Sequence, residues 1–212
     1  NVLENDRIPG VLLRNEILLS LRNVRNSLPH AFHDGLILEY EMLSRILRDI
    51  PRHIPYIGQQ GLPMMYALNT ETVTMWPFYD VNKTRRVLHN YYETLTVLNE
   101  LPYYRAEPEI VRLNEEFRKS VTTSKFSNKT GKTLLARVGV EYGMVFLKKE
   151  ALLGRLAVVD TVLSAVTFDE TKLPEDPLTG STYRVRYSRD MIAVISMLPD
   201  SREERIVFAW EK

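Results

Sequence analysis

The sequence predicts a mainly α protein (α+β) that ends in a small antiparallel sheet. Before residue 173, apolar residues recur every three or four positions over most of the chain, which is the spacing of one helical face. After Gly180 the period changes to two, as in half-buried strands. A proline-rich segment at 173–180 separates the two patterns. We therefore predict a multi-helix bundle followed by a three-stranded antiparallel sheet.

Length and composition are those of a soluble globular protein. The 212 residues are 44% hydrophobic and 26% charged, which is enough apolar material for a sizeable core. We predict a helical region at 1–130 and a second region at 131–212 that holds a long helix and the sheet. The two regions are expected to form one continuous globular unit.

The charge balance argues against nucleic acid as a partner. The 28 basic residues nearly match the 27 acidic ones, so the net charge of +1 gives no general attraction to phosphates. The absence of cysteine excludes disulfides, thiolate metal sites and a cysteine nucleophile. Because the chain starts at Asn1 and not at Met, we expect that an upstream segment was removed, by processing or by design of the expressed chain, and a signal peptide or anchor is one candidate for it. Contact with a membrane is expected only through that segment.

Two helices are predicted in residues 13–50. The first ends before Pro29 and the second covers 35–50 and stops at Pro51, since proline is disfavoured in a helix interior. A loop joins them, and the pair predicts an αα-hairpin. The apolar faces are Leu13, Ile17, Leu21 and Val24 in the first helix, and Leu36, Tyr40, Leu43, Leu47 and Ile50 in the second.

Three further helices are predicted before the sheet. One lies between Asp80 and Pro102, with Asp80 or Asn82 as its cap, and the next has Pro108 in its first turn. The last runs from Lys132 to about Val166 with a break near Gly154, because glycine lowers helix propensity. The apolar positions are Leu88, Tyr91, Tyr92, Leu95 and Leu98 in the first of these helices, and Ile110, Leu113, Phe117 and Val121 in the second.

Three short strands are predicted after Gly180. Tyr183, Val185 and Tyr187 alternate with polar residues, and 191–197 is rich in β-branched and apolar residues. A third run at 205–210 follows a charged loop. Because so small a sheet is not stable alone, we expect the preceding helix to cover one face of an antiparallel meander.

The segment that joins helix to sheet is predicted to be a structural hinge. Pro174 and Pro177 hold the residues before them in extended conformations. Asp176 can accept hydrogen bonds from backbone amides ahead of it, and Gly180 can adopt a positive φ. Together these residues turn the chain from helix into sheet.

The same part of the chain resembles a known family. Its pattern is similar to the C-terminal region of type II secretion pseudopilins, and uncharacterised bacterial envelope proteins carry a similar ending. The resemblance implies a bacterial, extracytoplasmic and non-enzymatic module of the periplasm or cell envelope. The residues that carry it are Pro174, Asp176, Pro177, Gly180 and Tyr183, followed by 192–196 and by Pro199 and Asp200.

Two departures limit what the resemblance implies. Pseudopilins begin with a long hydrophobic helix that packs into a filament, whereas amphipathic helices come first here, so filament assembly is not implied. Leu198 and Ser201 stand where the family has glycine, so the resemblance does not extend to the family's calcium-binding loop, and calcium binding by the nearby aspartates stays open. We interpret Asp176, Asp190 and Asp200 as turn residues, because their spacing is unlike that of an EF-hand.

An apolar ligand site is predicted as an alternative feature. The segment 59–78 mixes aromatic and methionine residues with glycine and proline, and such side chains can line a cleft. The competing interpretation is that they belong to the core. The candidate ligand-binding residues are Met64, Met65, Tyr66, Trp76, Phe78, Tyr91 and Tyr92.

No motif specifies catalysis, a metal or a cofactor. His30 and His33 fall in the predicted loop after Pro29, and with His53 they lack the spacing of a helical zinc site. The Gly131-Lys132-Thr133 run resembles the end of a phosphate-binding loop, but Phe126 stands where that loop requires glycine. We therefore assign no catalytic, metal-binding or cofactor-binding residue.

Two functions remain open from the sequence. The first is an interaction or scaffolding protein with a protein partner, which predicts an exposed apolar surface. The second is a helical ligand-binding or hydrolase-like protein, which predicts a deep pocket with convergent titratable groups. We favour the first.

Overall fold

The structure, a computed structural model of the chain, describes residues 7–53, 79–122, 128–138, 142–164, 169–188, 191–197 and 203–209. It is mainly helical and ends in a small antiparallel sheet, as predicted. The helices are α1 (Arg7–His53), α2 (Val81–Leu98), α3 (Tyr103–Thr122), α4 (Lys129–Val138) and α5 (Tyr142–Ser164). A 3-10 helix at Glu170–Lys172 precedes β1 (Arg184–Tyr187), β2 (Met191–Met197) and β3 (Glu203–Ala209).

The first helix corrects the prediction of an αα-hairpin. Helix α1 is continuous over 47 residues and runs through Pro29, so the loop predicted after that proline is helical. A proline inside a helix removes one backbone hydrogen bond and costs about 3 kcal/mol. Apolar side chains are buried on both sides of it, from Leu18 before to Leu36 and Leu47 after. That burial offsets the local cost.

Helix α2 begins at a well-defined cap, and α3 begins directly after Pro102. Asp80 caps α2, and its carboxylate accepts a hydrogen bond from the Lys83 amide at 2.9 Å, as predicted. Helix α3 begins earlier than predicted, because the Pro102 carbonyl accepts hydrogen bonds from the Arg105 and Ala106 amides at 3.0 Å each. Pro108 therefore lies inside α3 and not in its first turn.

The predicted break near Gly154 is wrong, because α5 continues through that residue. Gly154 is buried under the hinge segment. A methyl group there would lie 2.7 Å from the Tyr183 hydroxyl oxygen and 3.1 Å from the Pro177 ring. The glycine therefore permits close approach of the hinge to the helix, and does not end the helix.

The sheet is a three-stranded antiparallel meander with the order β1-β2-β3. Val194 on β2 stands between Val185 on β1 and Ile206 on β3. Val158 of α5 packs against Tyr183 and Val194, and Val162 packs beside it. Helix α5 therefore covers one face of the sheet, as predicted.

The chain forms two compact units, each built from discontinuous segments. The first unit is Asn1–Phe32, Leu101–Glu107 and Gly143–Lys212, and the second unit is His33–Glu100 and Pro108–Tyr142. Both units combine chain from either side of residue 130. The division of the sequence at that residue stays a prediction.

Candidate functional site

The described part of the chain shows no metal centre and no membrane-spanning helix. Within it, no group of three or more His, Asp or Glu side chains is placed to hold a metal ion. No described helix combines the length and the apolar character that crossing a bilayer requires. His30 is exposed on α1 and His33 is half-buried.

The Gly131-Lys132-Thr133 run lies in α4, where it packs against α2. Asn128 precedes α4 with a φ of 61°, and its side-chain oxygen accepts a hydrogen bond from the Asp80 amide at 2.8 Å. The Asn128 amide group donates to the Thr84 hydroxyl at 2.9 Å. A methyl group at Gly131 would overlap that hydroxyl. The glycine thus serves helix packing and does not approach a phosphate.

In the hinge, Asp176 is almost fully buried, with 2% of its surface exposed. One carboxylate oxygen accepts from the Leu178 amide at 3.0 Å. The other accepts from the hydroxyls of Thr179 at 3.0 Å and of Ser196 at 2.8 Å. Ser196 belongs to β2, so this carboxylate closes the hinge turn and ties it to the sheet. Both carboxylate oxygens are thus engaged by groups of the protein itself.

A void beside the hinge is too small for an organic ligand. Its volume is about 10 Å³, and Glu150, Gly154 and Asp176 are among the residues that line it. A single water molecule needs about that much space. The packing of Pro174–Gly180 on α5 therefore leaves no binding pocket there.

The start of α3 holds the other side of the hinge. The Tyr104 amide donates to the Pro177 carbonyl at 3.4 Å, and the Tyr104 hydroxyl donates to Glu175 at 3.0 Å. Gly180 has a φ of 68°, and a methyl group on it would lie 2.8 Å from the Tyr104 ring. Glycine can adopt the positive φ at this position without strain, and it leaves room for the Tyr104 ring.

In the second unit, buried tyrosines form a hydrogen-bonded chain. The Tyr92 and Tyr142 hydroxyls lie 2.6 Å apart, and Tyr142 donates to the Glu39 carboxylate at 2.6 Å. Burial raises the pKa of Tyr92, and burial together with the hydrogen bond to Glu39 raises the pKa of Tyr142. Both phenols therefore stay neutral at physiological pH and act as hydrogen-bonding core residues.

A groove of about 260 Å³ lies between α2 and α3 in the same unit. The rings of Tyr91 and Phe117 form part of its wall, with centroids 4.5 Å apart. The Tyr91 hydroxyl donates to Asn114 at 2.7 Å, and burial raises the pKa of Tyr91. The described lining residues are Val87, Asn90, Tyr91 and Thr94 of α2, and Leu113, Glu116, Phe117 and Ser120 of α3.

The structure describes only two of the seven predicted ligand-binding residues. Tyr91 lines the groove, whereas Tyr92 is buried beside Tyr142. The α3 side of the groove was not predicted, although its lining positions recur every three or four residues and so share one helical face. Met64, Met65, Tyr66, Trp76 and Phe78 lie outside the described residues.

In the first unit, α1 and α5 are joined by polar and aromatic contacts. Asp160 accepts from Arg22 at 2.9 Å and from Arg25 at 3.2 Å. The Phe32 ring meets the Phe146 ring edge to face at 5.2 Å. Lys149, with 2% of its side chain exposed, pairs with Glu150 at 2.8 Å and lies 5.4 Å from both ring centroids. These contacts fix the two helices as one pair.

The same helix pair exposes apolar side chains at heptad spacing. On α1, Ile17 and Val24 are seven residues apart and are 42% and 48% exposed. On α5, Val145 and Leu152 are also seven apart and are 39% and 41% exposed. Half-buried leucines and a valine continue both rows. We call these rows the apolar stripes: Ile17, Leu21, Val24 and Leu28 on α1, and Val145, Leu152 and Val159 on α5.

Comparison with protein-family models gave no match, and comparison with curated proteins and with solved structures gave none either.

Proposed function

We propose that this protein is an interaction or scaffolding protein that binds an amphipathic helix of a partner protein through its apolar stripes. The observation that carries the proposal is the exposure of Ile17, Val24, Val145 and Leu152 on two helices that are already packed together. Contiguous apolar surface on a folded protein is typical of an interaction site.

The apolar residues of α5 support a partner in addition to α1 and the sheet. Phe146 packs against Phe32 of α1, and Val158 packs against the sheet. Val145 and Leu152 occupy a third face, which is open to solvent. Apolar residues on three faces of one helix are typical of burial against more than one neighbour, although Lys148 and Arg155 lie exposed between these faces. A partner on the third face would complete that burial.

The spacing of the stripes defines the kind of partner. On α1 the apolar residues repeat every three and four positions, which is the spacing of a coiled-coil seam, and a second amphipathic helix can dock there; on α5 they repeat every seven, with the exposed Lys148 and Arg155 between them. From Ile17 to Leu28 the stripe rises by about 17 Å, at 1.5 Å per residue, which is about three helical turns. A partner helix of this length or more would contact both stripes.

The four exposed residues supply only part of the free energy that specific binding needs. Full burial of one large aliphatic side chain stabilises a complex by about 1.5 to 3 kcal/mol, and the four exposed residues are already partly buried. We therefore expect about 1 kcal/mol from each of the four, together with the contribution of the contacts around them.

The groove between α2 and α3 supports a hydrolase-like function less well. Its titratable lining residues are Tyr91 and Glu116. Tyr91 is engaged with Asn114, and burial raises its pKa, so it offers no base near neutral pH. Convergent acid and base groups, which a hydrolase needs, are not among the described lining residues.

We further propose that the interaction takes place in the bacterial cell envelope. The support for this location is the resemblance of residues 174–200 to the pseudopilin C-terminal region. Residues 174–183 form the hinge that is held by Asp176 and that connects the helical part to the sheet.

Affinity capture with matched variants tests the proposal. Val24→Asp and Leu152→Asp place a charge in each stripe, whereas Leu19→Asp changes a residue that is 61% exposed on the opposite side of α1. We expect a partner to be captured from the cell envelope fraction in stoichiometric amounts by the unchanged protein and by Leu19→Asp, but not by the stripe variants. Equal capture by all four proteins would overturn the proposal, provided that circular dichroism shows each variant to be folded.

A further inference from the structure

We infer that the groove between α2 and α3 binds a small organic cation, namely an ammonium group carried on one ring by a short chain. This site lies in the second unit and does not depend on the proposed partner of the apolar stripes. The inference rests on the size of the groove, on its apolar wall and on its one carboxylate.

The size of the groove suits a ligand with a single ring and a short tail. An apolar cavity of about 150 Å³ can hold benzene, and pockets for drug-sized ligands begin at about 300 Å³. The volume of about 260 Å³ lies between these values. Val87, Leu113 and Phe117 supply the apolar wall that would contact the ring.

Charge selects a cation over an anion or a neutral ligand. Glu116 lines the groove, and among the described residues it forms no ion pair. Its neighbour Glu115 is different, since its carboxylate lies 4.0 Å from the Lys119 ammonium. An ammonium group in the groove would therefore meet the exposed Glu116 carboxylate beside an apolar wall, with the Arg118 guanidinium acting on Tyr91 from the same helix as Glu116.

The other polar groups of the groove also favour a cation as the ligand. The Thr94 hydroxyl donates to the Asn90 carbonyl at 2.9 Å, and the Ser120 hydroxyl donates to the Phe117 carbonyl at 2.7 Å. Both hydroxyl protons are thus used within their own helices. The Asn90 side chain, which forms no hydrogen bond with the other described residues, is on α2 and can accept from the same ammonium group.

Calorimetric titration with phenethylamine tests the site. Two probes carry the same ring on the same two-carbon chain without the positive charge: 2-phenylethanol is neutral and 3-phenylpropanoate is negative. We expect phenethylamine to bind at millimolar or lower concentration and at least about tenfold more tightly than either probe, because only its ammonium group can form an ion pair with the Glu116 carboxylate. Equal binding of 2-phenylethanol, or no binding of phenethylamine at millimolar concentration, would overturn the inference.

A pair of adjacent substitutions localises the binding. Glu116→Gln removes the groove carboxylate and is expected to weaken phenethylamine binding by about tenfold, whereas Glu115→Gln is expected to leave it unchanged. Ser120→Trp fills the groove and is expected to abolish binding while the circular dichroism spectrum stays the same. If Glu116→Gln and Glu115→Gln bind the amine equally, the cation does not occupy this groove.

Discussion

At the scale of single residues, the hinge depends on a few positions that accept only one kind of side chain. Gly180 combines a positive φ with a close approach to Tyr104, and Gly154 lies against Pro177 and Tyr183. Asp176 is buried and accepts three hydrogen bonds from the hinge and from β2. The sequence predicted the roles of Asp176 and Gly180 in a turn from residue chemistry. The packing role of Gly154 was missed, since it depends on residues distant in the chain.

Two glycine-to-alanine substitutions distinguish a glycine that the fold requires from one that alanine can replace. Gly180→Ala should destabilise the protein by about 1 to 3 kcal/mol, because alanine disfavours positive φ and its methyl group would meet the Tyr104 ring. Gly35→Ala, in the exposed middle of α1 with no neighbour near its added methyl group, should stabilise it by up to about 1 kcal/mol. Urea unfolding measures both. The hinge geometry is contradicted if Gly180→Ala is as stable as the parent.

Loss of the buried Asp176 carboxylate is expected to destabilise the protein more than loss of any one of its hydrogen-bond donors. Asp176→Ala leaves the Leu178 amide and two hydroxyls without their acceptor, so the free energy of unfolding should fall by about 3 kcal/mol or more. Ser196→Ala removes only one of the three donors and should cost about 1 kcal/mol. Chemical denaturation of the two variants gives the comparison. Equal losses would show that the carboxylate does not organise the turn.

The buried tyrosines predict a loss of stability at alkaline pH. The ordinary pKa is 10.0, and burial raises the pKa of Tyr91, Tyr92 and Tyr142 in the folded protein. The unfolded chain therefore releases these protons first as the pH rises, so stability is full below about pH 10 and falls above it. Urea midpoints measured across that range should decrease, and Tyr92→Phe should make the decrease shallower. A midpoint that stays constant well above pH 10 would disprove the burial of these phenols.

At the scale of elements, periodicity predicted where helices lie better than it predicted where they end. Asp80 was one of the two caps predicted for α2, because a cap is a local signal, and the structure selects it over Asn82. The sequence predicts that a helix ends before Pro29, but α1 is continuous through that residue. The burial of apolar side chains on both sides of Pro29 stabilises the continuous helix. Ile17 and Val24 were assigned to a core face, whereas the adjacent face with Leu18 is the buried one. Which of two neighbouring apolar faces becomes buried depends on the partner element, and spacing alone does not specify it.

The contact between α2 and α4 provides a test at this scale. Gly131→Ala would bring a methyl group onto the Thr84 hydroxyl and should destabilise the second unit by about 2 kcal/mol or more. Thr84→Ala on the same background removes the hydroxyl and should recover part of that loss, although Asn128 loses a hydrogen-bond acceptor. A double-mutant cycle by urea unfolding measures the coupling. Strictly additive effects would contradict direct contact between the two positions.

At the scale of the whole molecule, composition and patterning predicted the fold class but not the candidate sites. The helices and the antiparallel meander follow from periods of 3.6 and two, which are local properties. The groove combines residues from α2 and α3, and the apolar stripes combine residues far apart in the chain on α1 and α5. Such surfaces form only when segments that are distant in the chain pack together, so no local sequence motif predicts them. The net charge of +1 is consistent with apolar rather than electrostatic recognition.

Site-specific photo-crosslinking in the native cells tests the proposed interaction most directly. A benzophenone side chain placed at Val24 would lie in the α1 stripe, and one at Leu19 would lie on the opposite side of the same helix. We predict that irradiation joins the Val24 derivative to one protein of defined mass, and that the Leu19 derivative gives no such product. Identical products from both positions, or none from Val24, would contradict an interaction through the apolar stripes.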